Sequence, residues 1–477
     1  MPVPSIYESG SFRDRSGRVF YDHGQVYRAL GTEGFADWSA VAQRPFVQKS
    51  MKSGSLVRTE TTAGVNAPLS DFQCEAVLKH DVVPVVTWPF EWSFSMLRSA
   101  ALLTLDLMLD ALQEDAILKD GTPYNVQFIG ACPTWIDTGS ILPLRPGQIW
   151  DGYRQFCQMF LYPLMLQSWK NVDFQPWLRG SLEGISPREF SSLLSMRDMF
   201  RRGAVSHVWL HAKLQGQNAA KPKLADSIKA SGFSRDMIIS NVQGLRRIVE
   251  HLTWKADKST WSDYDKSSTP VQRDAAIKEQ FIAEVCRSRT TQLMNDASKT
   301  WKTVWDLGCN QGRYARLAAQ HAEAVLAIDS DHLTIDRLFR TLNAEGNRTI
   351  TPMVCNLADP SPSLGWRLQE RRSLEQRSKP ELVFCLALIH HLVIGRNIPL
   401  ADLIAWLAEF GADLVIEFVG PTDPMVQRLM RNRDGQAVDY SQESFEAALD
   451  RCFDRVSHLA LASGTRTLYH LRAKTRN

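Results

Sequence analysis

The sequence has only eight cysteines, at 74, 132, 157, 286, 309, 355, 385 and 452, and no two are spaced as a CxxC pair. A structural zinc site built on paired thiolates is therefore not expected. Several cysteines sit in apolar runs, such as Cys385 in LVFCLAL, and read as buried free thiols of a reducing compartment. No segment approaches the ~20 consecutive apolar residues that a membrane helix needs. The most apolar helix-like run, Ala100 to Leu112, carries Asp106 and Asp110. An excess of one charge is also missing. Lys and Arg number 55 against 52 Asp and Glu, a formal +3, which gives no case for a nucleic-acid or anionic-membrane partner. The N-terminal MPVPSIYESGSFRDR lacks the apolar core of a secretory signal, and internal repeats and low-complexity tracts are absent. The expectation is a soluble cytoplasmic protein.

The composition that is present, 44 % hydrophobic and 22 % charged over 477 residues, is that of a globular chain of two or three domains. The polar stretch WKADKSTWSDYDKSSTPVQ, residues 254–272, reads as a linker pinned by Trp261 and Tyr264. It divides the chain into 1–253 and 273–477. In the second part, continuous apolar segments predict strands at 303–306, 324–329, 350–355, 381–388 and 413–419. Helical patterns at 313–322, 332–344 and 400–410 separate them, and a hairpin at 455–461 and 467–471 closes the series. Buried strands alternating with helices predict a Rossmann-like, doubly wound α/β sheet. The charged run 367–379 reads as a solvated helix face.

The sharpest motif, Asp306-Leu-Gly308-Cys-Asn310-Gln-Gly312, lies between the first strand and the first helix of this half. Its glycines permit a tight turn and close approach of a ligand to the backbone. Asp329 ends the next strand, placed to accept hydrogen bonds from ribose hydroxyls. A dinucleotide site prefers GxGxxG. Here Asp306 puts a carboxylate where pyrophosphate would lie, which suits the ammonium of an amino acid instead. An adenosine end joined to an amino-acid end describes S-adenosylmethionine.

On these residues the chain resembles the class I S-adenosylmethionine-dependent methyltransferases. The resemblance implies that Asp306, Gly308, Asn310 and Gly312 meet the methionine part and Asp329 the ribose. It gives adenine to Asn356 or Asp359 in CNLAD. The blocks LKDGTPYNVQFIGACPTWIDTGS, GYRQFCQMFLYPLM, DLGCNQG, ALIHHL and EFVGPTDPMV are similar to those of bacterial methyltransferases related to the nodulation protein NoeA. That family implies a small-molecule or glycan-type acceptor. The paired His390 and His391 after the fourth strand, and Glu417 in the fifth, fall where an acceptor would meet the methyl group. One histidine is expected to take a proton and Glu417 to orient it or to hold a hydroxyl. The fourth strand lacks the Asn/Asp-Pro-Pro-aromatic signature of nucleic-acid amine methylation. No metal is required or expected. A protein that binds S-adenosylmethionine without turnover is the alternative.

The first half reads as α+β. A hairpin turns around Asp22-His-Gly24, a helix spans 95–113, and a second hairpin pairs 126–129 with 134–136. The order helix, Asp120-x4-Asn125, hairpin, Asp137-x-Gly139 is similar to the catalytic and metal loops of protein-kinase-like phosphotransferases. That resemblance implies proton handling by Asp120 and magnesium on Asn125 and Asp137, and makes an ATP-dependent phosphotransferase a third reading. Leu118-Lys119 stands where that family has His-Arg, and neither a glycine-rich phosphate loop nor a strand lysine is present. A purely structural turn is the alternative. The aromatic block from Tyr153 to Leu166, with Trp169 and Trp177, reads as core.

Overall fold

The computed structural model describes residues 6–65, 67–68, 71–213, 234–256, 269–292, 300–431 and 439–474. Trp261, Tyr264 and most of the expected linker lie outside the described residues.

Seven strands form the sheet of the second half: β10 (Trp301–Leu307), β11 (Ala322–Asp329), β12 (Ile350–Val354), β13 (Leu382–Cys385), β14 (Asp413–Val419), β15 (Phe453–Ala460) and β16 (Arg466–Ala473). Their order is β12-β11-β10-β13-β14-β16-β15. Strands β10 to β14 run parallel, and β16 returns antiparallel to β14. This is the doubly wound order of the class I methyltransferase fold. The central strands are buried almost throughout because helices cover both faces. The strand expected over 381–388 stops at Cys385. Ala387 adopts φ 48°, a left-handed conformation that no strand can carry. The helix expected over 313–322 ends at Ala318, since β11 already begins at Ala322.

The first half holds β1 (Ile6–Tyr7), β2 (Gly17–Asp22), β3 (Gln25–Leu30), β4 (Thr59–Thr62) and β5 (Ala76–His80) in an antiparallel sheet of order β1-β2-β3-β5-β4. His23 and Gly24, both at positive φ, make the β2–β3 turn, the backbone a two-residue hairpin prefers. Helices Thr32–Val41 and Pro45–Ser53 lie between β3 and β4. The long helix Phe94–Gln113 follows. Then β6 (Ala116–Leu118) pairs with β9 (Ile141–Pro143), enclosing the hairpin β7 (Val126–Ile129) and β8 (Cys132–Trp135). The aromatic block from Tyr153 to Leu166 packs into the core, with Trp169 and Trp177 partly buried against it.

One apolar cluster runs from Leu30 through both halves to Leu468. Phe128 and Phe339 meet edge to face across it, with centroids 5.6 Å apart. The Asp336 carboxylate receives the Ser95 amide and hydroxyl at 2.7 and 3.0 Å, satisfying a donor in the first turn of the long helix. The run 367–379 is solvated only in part: Arg367, Leu368, Gln369, Glu375, Gln376 and Lys379 are exposed, whereas Glu370, Arg372 and Arg377 turn to the first half. Its helix is short, Leu374–Arg377, and Arg377 forms a buried two-point pair with Glu91 of the first half, at 2.8 and 2.5 Å. Side chains that look solvent-bound in sequence are here consumed by the contact between halves. No helix among the described residues is long and apolar enough to cross a membrane.

Candidate functional site

A cavity of about 1010 Å³ opens over the carboxyl ends of the parallel strands. The loop after β10 contributes Gly308, Cys309 and Asn310; Asp329 and Ser330 follow β11; Asn356 follows β12; and Ala387, Leu388 and His391 follow β13. Thr422 and Asp423 follow β14. Asp274 and Lys278 come from the helix Thr269–Gln292, and Ser463, Thr465 and Arg466 from the β15–β16 turn.

The glycine loop is built from left-handed residues. Gly308, Asn310 and Gly312 have φ of 75°, 47° and 79°. At Gly312 a Cβ would also stand 2.7 Å from Leu338 Cδ1. The loop is stitched to β11: Gly308 and Cys309 both donate to the Ile328 carbonyl at 2.9 Å, and Asn310 N donates to Asp329 Oδ2 at 2.9 Å. Asp331 N donates to Oδ1 of the same carboxylate at 2.9 Å. Asp329 is thus oriented by two backbone donors and retains lone pairs for hydroxyl groups.

Asp306 does not itself line the cavity and is almost wholly buried. Burial first, and the charge of Asp329 second, push its carboxyl up to about 7, against a hydrogen bond from the Ala315 amide. Its Oδ2 and the Asn310 Oδ1 are buried with no hydrogen-bond partner. Asn310 lines the cavity, so its unmatched acceptor is what a ligand with a donor there would satisfy, with the Asp306 carboxyl behind the loop. These residues therefore fit an amino-acid-bearing nucleoside.

Of the adenine candidates, Asn356 lines the cavity and its Oδ1 accepts the Ala358 amide at 3.1 Å. Asp359 does not. Its exposed carboxylate is held by Arg179 in two hydrogen bonds of 2.9 Å, because the first half packs beside this loop. The two histidines also separate. Their rings touch, with centroids 4.1 Å apart, but only His391 lines the cavity. His390 is fully buried, both ring nitrogens lack partners, and burial pushes its pKa far down. His391 is lowered to about 4, by burial and then by Arg466. Both rings are neutral at pH 7.

Glu417 is likewise off the cavity wall. It is completely buried and holds Lys278 at 2.7 and 2.8 Å and Arg466 at 3.4 Å. Arg466 also pairs with Asp423 at 2.8 Å. An ion cluster of this kind fixes its members in place. The kinase-like trio lies elsewhere, around the β7–β8 hairpin. Asp120 feels the charge of Asp137, and Ile136 N donates to the Asn125 carbonyl at 2.8 Å. Among the described residues no three His, Cys, Asp or Glu side chains are placed to hold a metal ion.

Over 465 aligned residues the chain is 34 % identical to the nodulation protein NoeA of Rhizobium meliloti (strain 1021), spanning 97 % of this chain and 95 % of that protein. The chain belongs to the NoeA family. No family profile matches it. Solved structures similar to part of this NoeA-family chain include the N-methyltransferase NodS from Bradyrhizobium japonicum WM9 with S-adenosyl-L-homocysteine. That match has 12 % identity, TM-score 0.32, and covers 46 % of this chain and 94 % of that one. WbdD matches at 17 % identity and TM-score 0.30, over 44 % of this chain and 42 % of its own.

In this NoeA-family chain the sequence reading passed over Lys278, Arg466, Asp274 and Asp423. Lys278 and Glu417 are 139 residues apart, and no local pattern marks such a pair. A lysine within a mainly polar helix gives no signal until the fold carries it to the cavity.

Proposed function

We propose that this protein is an S-adenosylmethionine-dependent methyltransferase acting at an oxygen of a small-molecule or glycan-type acceptor. The observation that carries the reading is the single cavity that joins the glycine loop, Asp329 and Asn356 on one side to His391, Lys278 and Arg466 on the other. Its size, at the top of the ~300–1,000 Å³ range of ligand pockets, accommodates two ligands side by side. S-adenosylmethionine, when bound, supplies an electrophilic methyl group.

In this reading Asp306 and the loop Gly308–Gly312 hold the amino-acid end, Asp329 the ribose and Asn356 the adenine. Asp359 acts only through Arg179. His391 accepts the proton of the acceptor hydroxyl, since it is neutral and reaches the cavity; His390 supports its ring. Glu417 is a positioning residue: it fixes Lys278 and Arg466, which grip the acceptor. The lining of Asp274, Ser463 and Thr465 beside these cations suits a polyhydroxylated, partly anionic molecule. All eight cysteines are free, which supports a reducing, cytoplasmic setting. The test is single turnover with methyl-labelled S-adenosylmethionine and hydroxylated acceptors. Methylation that falls about 10²-fold in His391→Gln supports the assignment. Unchanged turnover in both His391→Gln and His390→Gln removes the base role.

For residues 1–253 we propose a protein-kinase-type architecture preceding the methyltransferase of 273–477. Support comes from the sheet order β1-β2-β3-β5-β4 with helices between β3 and β4, and from the β6–β9 pair enclosing the β7–β8 hairpin.

A further inference from the structure

In a kinase-type fold, β3 presents a lysine toward the acid that follows β8, and that acid holds the metal. Here β3 presents Arg28, which is nine-tenths buried. Its guanidinium lies 2.9 Å from Asp137 Oδ1 and 3.4 Å from Asp14 Oδ2. It also fills the space above Gly139, where a Cβ would stand 2.9 Å from it. Asp120 is close enough to Asp137 to feel its charge. Asn125, which the architecture would also give to the metal, leaves its Nδ2 without a partner. Two carboxylates, Asp14 and Asp137, therefore flank one fixed cation, and that cation belongs to the protein.

The chain between β1 and β2 departs from the architecture in the same direction. A kinase-type fold covers the phosphates there with a glycine-rich loop. Here the segment is fastened to residues 369–372 of the other half. Ser9 Oγ donates to the Gln369 carbonyl at 2.7 Å, Arg13 pairs with Glu370 at 2.7 and 3.1 Å, and Arg372 pairs with Glu8 at 2.8 Å. The single glycine in the segment, Gly10, is pressed against the Glu370 carbonyl, where a Cβ would stand at 2.6 Å. A loop tied down in this way cannot fold over a triphosphate. The residues present do not fit a magnesium–nucleotide.

We infer that Arg28 replaces the metal of the kinase-type site, acting as the permanent counter-charge of Asp14 and Asp137, so that this half keeps its shape without a cation and transfers no phosphoryl group. This inference rests on the kinase-type reading of residues 1–253 and is independent of the methyl-transfer reading.

The test is thermal unfolding and calorimetric titration of the full chain with MgCl2 and with Mg-ATP. The wild-type protein is expected to show no Mg2+-dependent change in Tm and no Mg-ATP binding. Arg28→Met keeps the volume and removes the charge. It is expected to lower Tm by about 3–5 °C, with part of the loss restored by millimolar Mg2+ and part by a second change, Asp137→Asn. Mg-ATP binding to the wild type that disappears in Asp137→Asn would overturn the inference. So would an Arg28→Met protein with unchanged Tm, or one whose loss neither Mg2+ nor Asp137→Asn repairs, because Arg28 would then serve packing and not charge. Repair by Asp137→Asn with no response to Mg2+ would overturn the metal replacement together with the kinase-type reading. If Arg28→Met fails to fold, Arg28→Met/Asp137→Asn decides the charge question in its place.

Discussion

Asp306 couples the cofactor site to pH in a way that can be counted in protons. Its carboxyl is raised from 3.8 to about 7, chiefly by burial. The folded protein holds this proton where the unfolded chain has already lost it. The group thus costs nothing below pH ~4, and its cost grows as pH rises through 7, reaching about 4 kcal/mol. Asp306→Asn removes that cost but leaves an amide with an unmatched donor, worth about 1–3 kcal/mol. The ligand-free variant should therefore be more stable than the wild type at pH 8, by roughly 1–3 kcal/mol, and show no gain at pH 4. Ligand binding reverses the balance. An ammonium placed beside the loop favours the ionised carboxylate and expels the proton. With a pKa of about 7, roughly 0.9 proton should leave at pH 6, about 0.5 at pH 7 and about 0.1 at pH 8. The same linkage weakens S-adenosylmethionine binding about tenfold from pH 8 to pH 6, relative to Asp306→Asn measured in parallel. Calorimetry in two buffers of different ionisation enthalpy reads the proton count directly. Binding without proton release at pH 6, or an Asn variant that binds as the wild type does at every pH, would refute the reasoning.

Other perturbations probe the walls of the site. Gly312→Ala forces a left-handed alanine, about 1–2 kcal/mol, and drives its Cβ toward Leu338, about 1–3 kcal/mol more; urea unfolding should show a loss of about 2–5 kcal/mol. Glu417→Gln takes the buried carboxylate from Lys278, while Arg466 keeps Asp423, so a loss of about 3–5 kcal/mol in the same assay is expected. Arg179→Ala removes every hydrogen bond from Arg179 to Asp359 and the Pro360 carbonyl. Because this pair is exposed, stability should change by less than about 1 kcal/mol, while Kd for S-adenosylmethionine rises several-fold and turnover at saturation holds. An unchanged Kd would mean that the first half does not position the Asn356 loop.

The second half was legible because its signals are local. Continuous apolar strands and the Asp306–Gly312 turn each fit within a few residues, and Asp329 lies at the end of the adjoining strand. Strand ends were less legible: nothing in LVFCLALIH announces the left-handed Ala387 that cuts β13 short. In the first half only the β2–β3 and β7–β8 hairpins carried turn chemistry strong enough to read. β4 is Thr59-Glu-Thr-Thr62, with no apolar alternation to mark it, and it is a strand because β5 pairs with it. The cations of the cavity were illegible for a different reason. Lys278 and Arg466 acquire their meaning from a carboxylate 139 and 49 residues away.

The seam between the halves bears on how such a protein can change over generations. Gly130 turns so tightly against Arg348 that a Cβ would stand 2.3 Å from its backbone, the Asn343 amide donates to the Ala131 carbonyl at 2.8 Å, and Glu91 has Arg377 as its buried partner. A catalytic half transplanted from a relative would bring foreign side chains to each of these points. The seam is built of matched sets: Glu91 with Arg377, Ser95 with Asp336, Phe128 with Phe339. A half exchanged for a relative's would have to carry its partner residues with it.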